Sequence, residues 1–177
     1  MAREQEIIAL FEGRFPALGD KLYSPRPGRI FSKGIGRKGF YDIVAFAKEE
    51  AGFFRMHHVV GTDDGAELGF LYILSDQSGA MLALRETAPK SDPRIRSLTG
   101  LFPGVLWHER ELVDLYGAVV EGLPEGPNYP LPDGWPAGNY PMRKDWDPKR
   151  FNRNTMTYEE DISAQTEKAE HPGDKNE

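Results

Sequence analysis

Apolar positions along this chain change period several times, and each change marks an element. Between Arg3 and Phe15, Ile7, Ile8, Leu10, Phe11 and Phe15 recur at helical spacing with charges between them, which predicts an amphipathic helix ended by Pro16. Residues 23–29 carry Pro25, Pro27 and Gly28 and read as a loop, after which Arg29-Ile30-Phe31-Ser32 reads as a short edge strand. A second helix follows from about Phe40 to Ala51, with Ile43, Val44, Phe46 and Ala47 inward and Gly52 at its end. The period then drops to two. Runs at 53–60, 68–75 and 80–86 are separated by Thr62-Asp63-Asp64-Gly65 and Asp76-Gln77-Ser78-Gly79, turns short enough for an antiparallel meander. In the middle run Leu68, Phe70, Tyr72 and Leu74 share one face, while Gly69, Leu71 and Ile73 share the other. Helices are expected over the first face and partial cover over the second.

Asp92 can cap a short helix from Pro93 to Leu101. The next helix opens at Pro103, which suits a first-turn position, and stops at Gly117, where a left-handed cap favours a residue without a Cβ. Leu106, Val113, Leu115 and Tyr116 are apolar enough to bury, yet Glu109, Arg110, Glu111 and Asp114 crowd charge onto the same helix. Arg110 and Asp114 lie one turn apart and can pair, and Trp107 sits one turn before Glu111. Beyond Gly117, residues 122–141 contain Pro124, Pro127, Pro130, Pro132, Pro136 and Pro141 with Gly122, Gly126, Gly134 and Gly138. Proline removes backbone donors and restricts its predecessor, so this stretch is neither helix nor central strand. Leu123, Tyr129, Leu131, Trp135, Tyr140, Met142 and Trp146 are too many large apolar groups for a disordered linker. They read as anchors of an extended arm lying in a groove of its own domain or of another subunit. The expected class is α+β: an antiparallel β-meander packed with helices, then the arm. Residues 1–120 form the domain, 121–155 the arm and 156–177 a flexible acidic tail.

Composition narrows the chemistry. A chain of 177 residues, 39% of them hydrophobic, suffices for one domain with a core. Its net charge of −6 argues against nucleic acid, whose binding rests on clustered Lys and Arg. There is no cysteine, so disulfides, thiolate zinc, cysteine nucleophiles and ordinary iron–sulfur ligation by this chain are excluded. No apolar run is long enough to span a membrane, and the charged N-terminus lacks a signal-peptide core, so a cytoplasmic location is expected. Gly34-Ile-Gly36-Arg-Lys-Gly39 matches a dinucleotide fingerprint, but the strand–helix alternation that fingerprint needs does not follow. A flexible glycine turn feeding a helix is the preferred reading, with a free-standing nucleotide-binding oxidoreductase as a remote alternative. His57 and His58 adjoin on a strand and point to opposite faces, and His108-Glu109 lacks the second histidine of the zinc helix motif because position 112 is leucine. An acid/base site built on Glu109, Glu111 and Asp114 would need a pocket and a second catalytic segment, and neither is evident. Arg143, Lys144, Lys149, Arg150 and Arg153 form a basic run placed to make a contact surface.

Glu109-Arg110-Glu111 followed by Asp114-Leu115-Tyr116-Gly117, and then Pro141-Met142-Arg143-Lys144-Asp145, resembles the paired signature of the 30-kDa subunit of respiratory complex I and of related subunits in membrane-bound [NiFe] hydrogenase complexes. The resemblance spans about residues 40–147. Gly122-Leu-Pro-Glu-Gly-Pro-Asn-Tyr-Pro-Leu-Pro stands where complex I members carry Gly-His-Pro and two arginines, while Leu131-Pro-Asp-Gly-Trp135-Pro is similar to the energy-converting hydrogenase branch. The resemblance implies a non-catalytic accessory subunit of the hydrophilic arm, peripheral to the membrane, docked on the large 49-kDa or hydrogenase-like subunit beside iron–sulfur subunits. It implies no cofactor on this chain; iron–sulfur clusters and a flavin or [NiFe] centre belong to the partners. The parent is either a complex I-like NADH-quinone oxidoreductase or an energy-converting hydrogenase or formate hydrogenlyase. Trp107, Glu109, Arg110, Glu111, Asp114, Tyr116, Gly117, Trp135, Pro141, Arg143, Lys144 and Asp145 become candidates for internal ion pairs and intersubunit contacts, with the charged helix and the Arg143-Lys144-Asp145 segment forming one polar clamp.

Overall fold

The computed structural model describes residues 3–158. Helix α1 (Arg3–Arg14) ends where Pro16 opens a 3-10 turn, Pro16–Lys21. Strand β1 (Leu22–Arg26) then pairs antiparallel with β2 (Arg29–Ser32). Next come β3 (Ile35–Gly36), α2 (Phe40–Glu49), and the long strands β4 (Arg55–Asp63), β5 (Glu67–Ser75) and β6 (Met81–Pro89). The last three form the expected antiparallel meander, with Tyr72 opposite Val59 on one side and Leu84 on the other. The main sheet runs β1-β2-β6-β5-β4, and β3 also lies along β6. The fold is α+β.

Two local expectations fail at the N-terminal end of this sheet. Residues 22–26 are a strand rather than loop, and Pro25 is tolerated because β1 is outermost, where a missing N–H breaks no ladder. β2 is not an edge strand: it lies between β1 and β6 and pairs in parallel with β6, Ile30 opposite Leu82. A four-residue run cannot disclose which distant strand adopts it.

One face of the sheet carries the core. Leu68, Phe70, Tyr72 and Leu74 of β5 are fully buried with Leu82 and Leu84 of β6, as the two-residue period requires. Ile8 and Phe11 of α1 and Phe40, Val44, Phe46 and Ala47 of α2 pack in the same cluster. Phe11 meets Phe46 edge-on at 5.1 Å between centroids, and Phe40 lies 5.4 Å from Tyr72. The second face is half-covered from within the chain. Arg85 lies across Gly69, where a Cβ would fall 2.2 Å from its guanidinium, and bonds Thr62 and Asp64.

The expected helix from Pro93 to Leu101 is absent. Strand β7 (Arg94–Arg96) buries Ile95 between two exposed arginines and pairs in parallel with β8 (Val119–Glu121). Ile95, Leu98 and Leu101 are buried anchors of a strand and loop that happen to fall at helical spacing. A 3-10 turn, Pro103–Val105, then leads into α3 (Leu106–Tyr116). Far along the chain, β9 (Phe151–Asn152) and β10 (Thr157–Tyr158) form a small hairpin straddling the arm–tail division expected at 155. The acidic stretch from 159 onward lies outside the described residues.

Candidate functional site

Helix α3 and the arm that returns over it hold the candidate residues. Gly117 has φ +67, and its N–H reaches the Leu112 and Val113 carbonyls, as a left-handed helix stop demands. The ring of Tyr140 occupies the space a side chain would take, since a Cβ at Gly117 would lie 2.5 Å from it and 2.8 Å from Arg143 Nη2. The last two carbonyls of α3 are capped by the arm: Met142 N–H donates to Leu115 O at 3.1 Å, and Arg143 Nε donates to Tyr116 O at 2.7 Å. A guanidinium at a helix C-terminus also meets the negative end of the macrodipole. Pro141, half-buried, sets the turn that brings both donors there.

The charges of α3 point elsewhere than their sequence spacing suggests. Arg110 does not pair with Asp114. It is 8% exposed, and Nη1 and Nη2 donate to the Pro127 and Pro124 carbonyls at 2.9 and 2.7 Å. Proline-rich backbone offers acceptors without competing donors, so a fork of two N–H groups straps the start of the arm to the helix. Gly126 makes this possible, because a Cβ there would lie 2.1 Å from the guanidinium. Asp114 instead accepts the Leu131 N–H at 3.2 Å. Glu109 is fully buried and receives Ser97 Oγ–H and Leu98 N–H, both at 2.7 Å, fixing the loop after β7. Burial pushes its carboxyl up, against the pull of those two donors. Glu111 stays half-exposed on the side where the half-buried His108 meets His58 edge-on at 4.6 Å. His57 instead bonds Ser75.

Tyr116 ties α3 to the sheet. Its hydroxyl donates to Gly61 O at 2.7 Å, and its ring fills the space above Gly61, where a Cβ would fall 2.3 Å away. On β6, Glu86 is 1% exposed, and its Oε2 and the Tyr72 hydroxyl lack hydrogen-bond partners among the described residues. Burial, with Glu109 beside it, raises the Glu86 carboxyl to about 8, so near neutrality it is a neutral acid.

The Arg143-Lys144-Asp145 segment does not clamp the α3 carboxylates. Lys144 N–H donates to Asp63 Oδ2 at 2.9 Å, and Asp145 meets Lys90, which also holds Asp63 at 2.8 Å. Burial opposes ionisation of Asp63, but donation from Lys90, Lys144 N–H and Gly65 N–H outweighs it and brings the carboxyl down to about 2. The sequence places Asp63 in a hairpin turn, which is correct as far as its bond to Gly65 N–H goes. Its second role, and that of Lys90, depends on the arm passing overhead. Trp135 lies tilted against Phe151 at 4.5 Å and donates through Nε1 to Asn139 O, while Trp146 stacks on Tyr158. Trp107, Tyr129 and Met142 remain 49%, 43% and 53% exposed, with Trp107 edge-on to Tyr129.

Among the described residues no group of three or more His, Asp or Glu side chains is placed to hold a metal, and no helix is long and apolar enough to cross a membrane. The Gly34–Gly39 turn follows a strand and opens a helix, but β3 and β4 are separated by β6 and β5, so no βαβ unit of adjacent parallel strands surrounds it. Gly34 has a packing reason instead, since a Cβ there would meet Thr87 at 2.9 Å.

Comparison with known proteins agrees with this architecture. Over 85 residues the chain is 38% identical to an NADH-quinone oxidoreductase subunit of Mycolicibacterium gilvum (strain PYR-GCK), covering 48% of this chain and 37% of that protein. Over 76 residues it is 38% identical to formate hydrogenlyase subunit 5 of Escherichia coli (strain K12), covering 42% of this chain and 13% of that protein. The chain thus spans well under half the length of these curated relatives. A chain of the membrane-bound sulfane sulfur reductase (MBS), an archaeal respiratory membrane complex, superposes with TM-score 0.71 at 19% identity over 98% of this chain and 95% of that one. A trypsin-resistant fragment (1-134) of Nqo5 gives 0.58 at 24% identity, covering 69% of this chain and 98% of the fragment. At those identities the likeness is one of fold. Residues 34–152 match the family model described as respiratory-chain NADH dehydrogenase, 30 Kd subunit, the stretch that runs from the glycine turn through the meander and α3 to the end of the arm, and the chain belongs to that family.

Proposed function

We propose that this chain is a non-catalytic assembly subunit of a complex I-like, membrane-associated oxidoreductase, docking on the large hydrogenase-like subunit through the face formed by α3 and the arm. The observation that carries the reading is how the charges of α3 are used. Arg110, Asp114 and the α3 C-terminus hold the arm in one course, which leaves Trp107, Tyr129 and Met142 exposed on a fixed frame. Aromatic side chains held rigidly at a surface are the residue types that dominate interfaces, because they bury large areas at little entropic cost. Redox centres, whether iron–sulfur clusters with flavin or a [NiFe] site, belong in this reading to the partners, and the chain is peripheral on the cytoplasmic side.

A second parent, an energy-converting hydrogenase or formate hydrogenlyase, is supported by the likeness to formate hydrogenlyase subunit 5 and by the Leu131–Pro136 sequence. One affinity purification from the native host addresses both. A large subunit recovered with this chain supports assembly, and the accompanying flavin or nickel subunits tell which parent it is. Trp107→Ala with Tyr129→Ala should weaken docking by about 2 kcal/mol or more while leaving the isolated chain folded. Unchanged recovery of the large subunit with that variant would refute the proposed face.

A further inference from the structure

Packing accounts for Gly34 but not for Gly36 and Gly39 of the glycine turn, and both of these line a cavity. The 3-10 turn after α1 and the β3–α2 junction border a half-open cavity of about 400 Å³, within the roughly 300–1,000 Å³ typical of small-molecule sites. Phe15, Leu18, Ile35 and Ile43 form apolar walls. Arg14, Lys21 and Lys38 also line it, and no carboxylate does. In a chain of net charge −6 three cations on one cavity stand out: none of them is in an ion pair among the described residues, and the nearest carboxylates, the exposed Asp20 beside Lys21 and Asp42 in the first turn of α2, lie outside the lining. Gly39, with φ +82, opens α2 onto the same space without a side-chain cap, adding the positive end of a helix. Two features therefore coincide: a half-open apolar wall, formed where core side chains reach the surface, and charged lining groups that are all basic.

This combination selects among ligands. A dinucleotide needs acceptors for ribose hydroxyls and polar groups for its base, and the walls offer neither. A free inorganic anion would leave the apolar surface wet. A molecule with one anionic head and an apolar body satisfies both halves of the cavity. We infer that the cavity binds a medium-chain carboxylate, its head among Arg14, Lys21 and Lys38 and its chain along Phe15, Leu18, Ile35 and Ile43. The site lies partly in residues before the family-matched segment, which begins at 34, and is independent of the assembly role.

The full chain titrated calorimetrically with decanoate tests this. Saturable binding of one decanoate is expected, with none for acetate, which lacks the chain, or for decyltrimethylammonium, which reverses the head. Lys21→Glu with Lys38→Glu changes exposed or half-exposed positions and should weaken decanoate roughly tenfold or more. Gly36→Leu places a side chain into open space, since nothing lies within 4 Å of its Cβ position, and should abolish binding without lowering the thermal midpoint. Absence of decanoate binding would overturn the inference. So would equal binding of the cationic amphiphile, an affinity untouched by both variants, or binding of NADH in place of decanoate.

Discussion

Gly117→Ala is the sharpest perturbation available, because one methyl group acts on helix stop and arm together. An alanine at φ +67 costs about 1–2 kcal/mol for the left-handed conformation alone. The methyl would also lie 2.5 Å from the Tyr140 ring, more than 1 Å inside contact distance, so the ring must leave. Arg143 stacks on that ring at 4.5 Å and donates to Tyr116 O at 2.7 Å, and it leaves with the ring. Losing a hydrogen bond from a charged donor costs about 1.5–3 kcal/mol, so the total is about 2.5–5 kcal/mol. Tyr140→Ala removes the ring and leaves only the flexible Arg143 head within 2.8 Å of the methyl, so in that background Gly117→Ala should cost little beyond the conformational part. Urea unfolding followed by tryptophan fluorescence gives the four midpoints of the cycle, and proteolysis within residues 122–146 reports arm release separately. A coupling of about 1.5–3 kcal/mol is expected. Additivity within about 0.5 kcal/mol, or an arm no more sensitive to protease in Gly117→Ala, would refute the claim that Tyr140 and Gly117 lock arm to helix.

Three further outcomes follow from the same geometry. Arg110→Ala should free the start of the arm at a cost of about 2–3 kcal/mol, and Arg110→Lys should recover less than half of it, because an ammonium is a point donor and cannot span two carbonyls; equal midpoints for lysine and arginine would contradict the strap. Asp63 has a folded carboxyl held near 2, so its stabilisation is present above its ordinary value of about 4 and is lost as pH falls through that window; Asp63→Asn should lower stability at pH 7 and flatten the acid limb of a urea-midpoint profile. Glu86 has the opposite sign. Its folded carboxyl is raised to about 8, so the folded state holds a proton the unfolded state has released, and wild-type stability should fall between about pH 5 and 8 by up to about 1.4 kcal/mol per unit, a slope that Glu86→Gln should remove. An unchanged slope would show that Glu86 ionises freely.

The elements are legible wherever a period is long and its two faces differ. The meander can be read because β5 alternates Leu68, Phe70, Tyr72 and Leu74 against smaller or half-exposed neighbours, and its turns carry Asp and Gly where the backbone requires them. α3 can be read because Pro103 and Gly117 bracket it. Short segments mislead for a physical reason: three to five residues do not distinguish strand from loop or helix, and β1, β2 and β7 exist because a partner strand supplies their hydrogen bonds. Ile95, Leu98 and Leu101 fit a helix in sequence and belong to a strand and loop in space.

The candidate residues show the same division. Sequence alone determined that a charge-rich helix lies between Pro103 and Gly117, that the arm is rich in proline and aromatic residues, that these 177 residues include no cysteine, and that the paired motifs mark the 30-kDa subunit family. It could not determine where the charges point. Spacing puts Arg110 one turn from Asp114, yet the guanidinium is held by Pro124 and Pro127, the carboxylate by Leu131 N–H, and Arg143 by the end of α3 rather than by an acid. Each of those partners is backbone, which carries the same donors and acceptors at every position and leaves no residue-type signature. Only the course of the arm over α3 decides which of those groups come within reach, and that course is set by contacts such as Tyr140 on Gly117 that join distant parts of the chain.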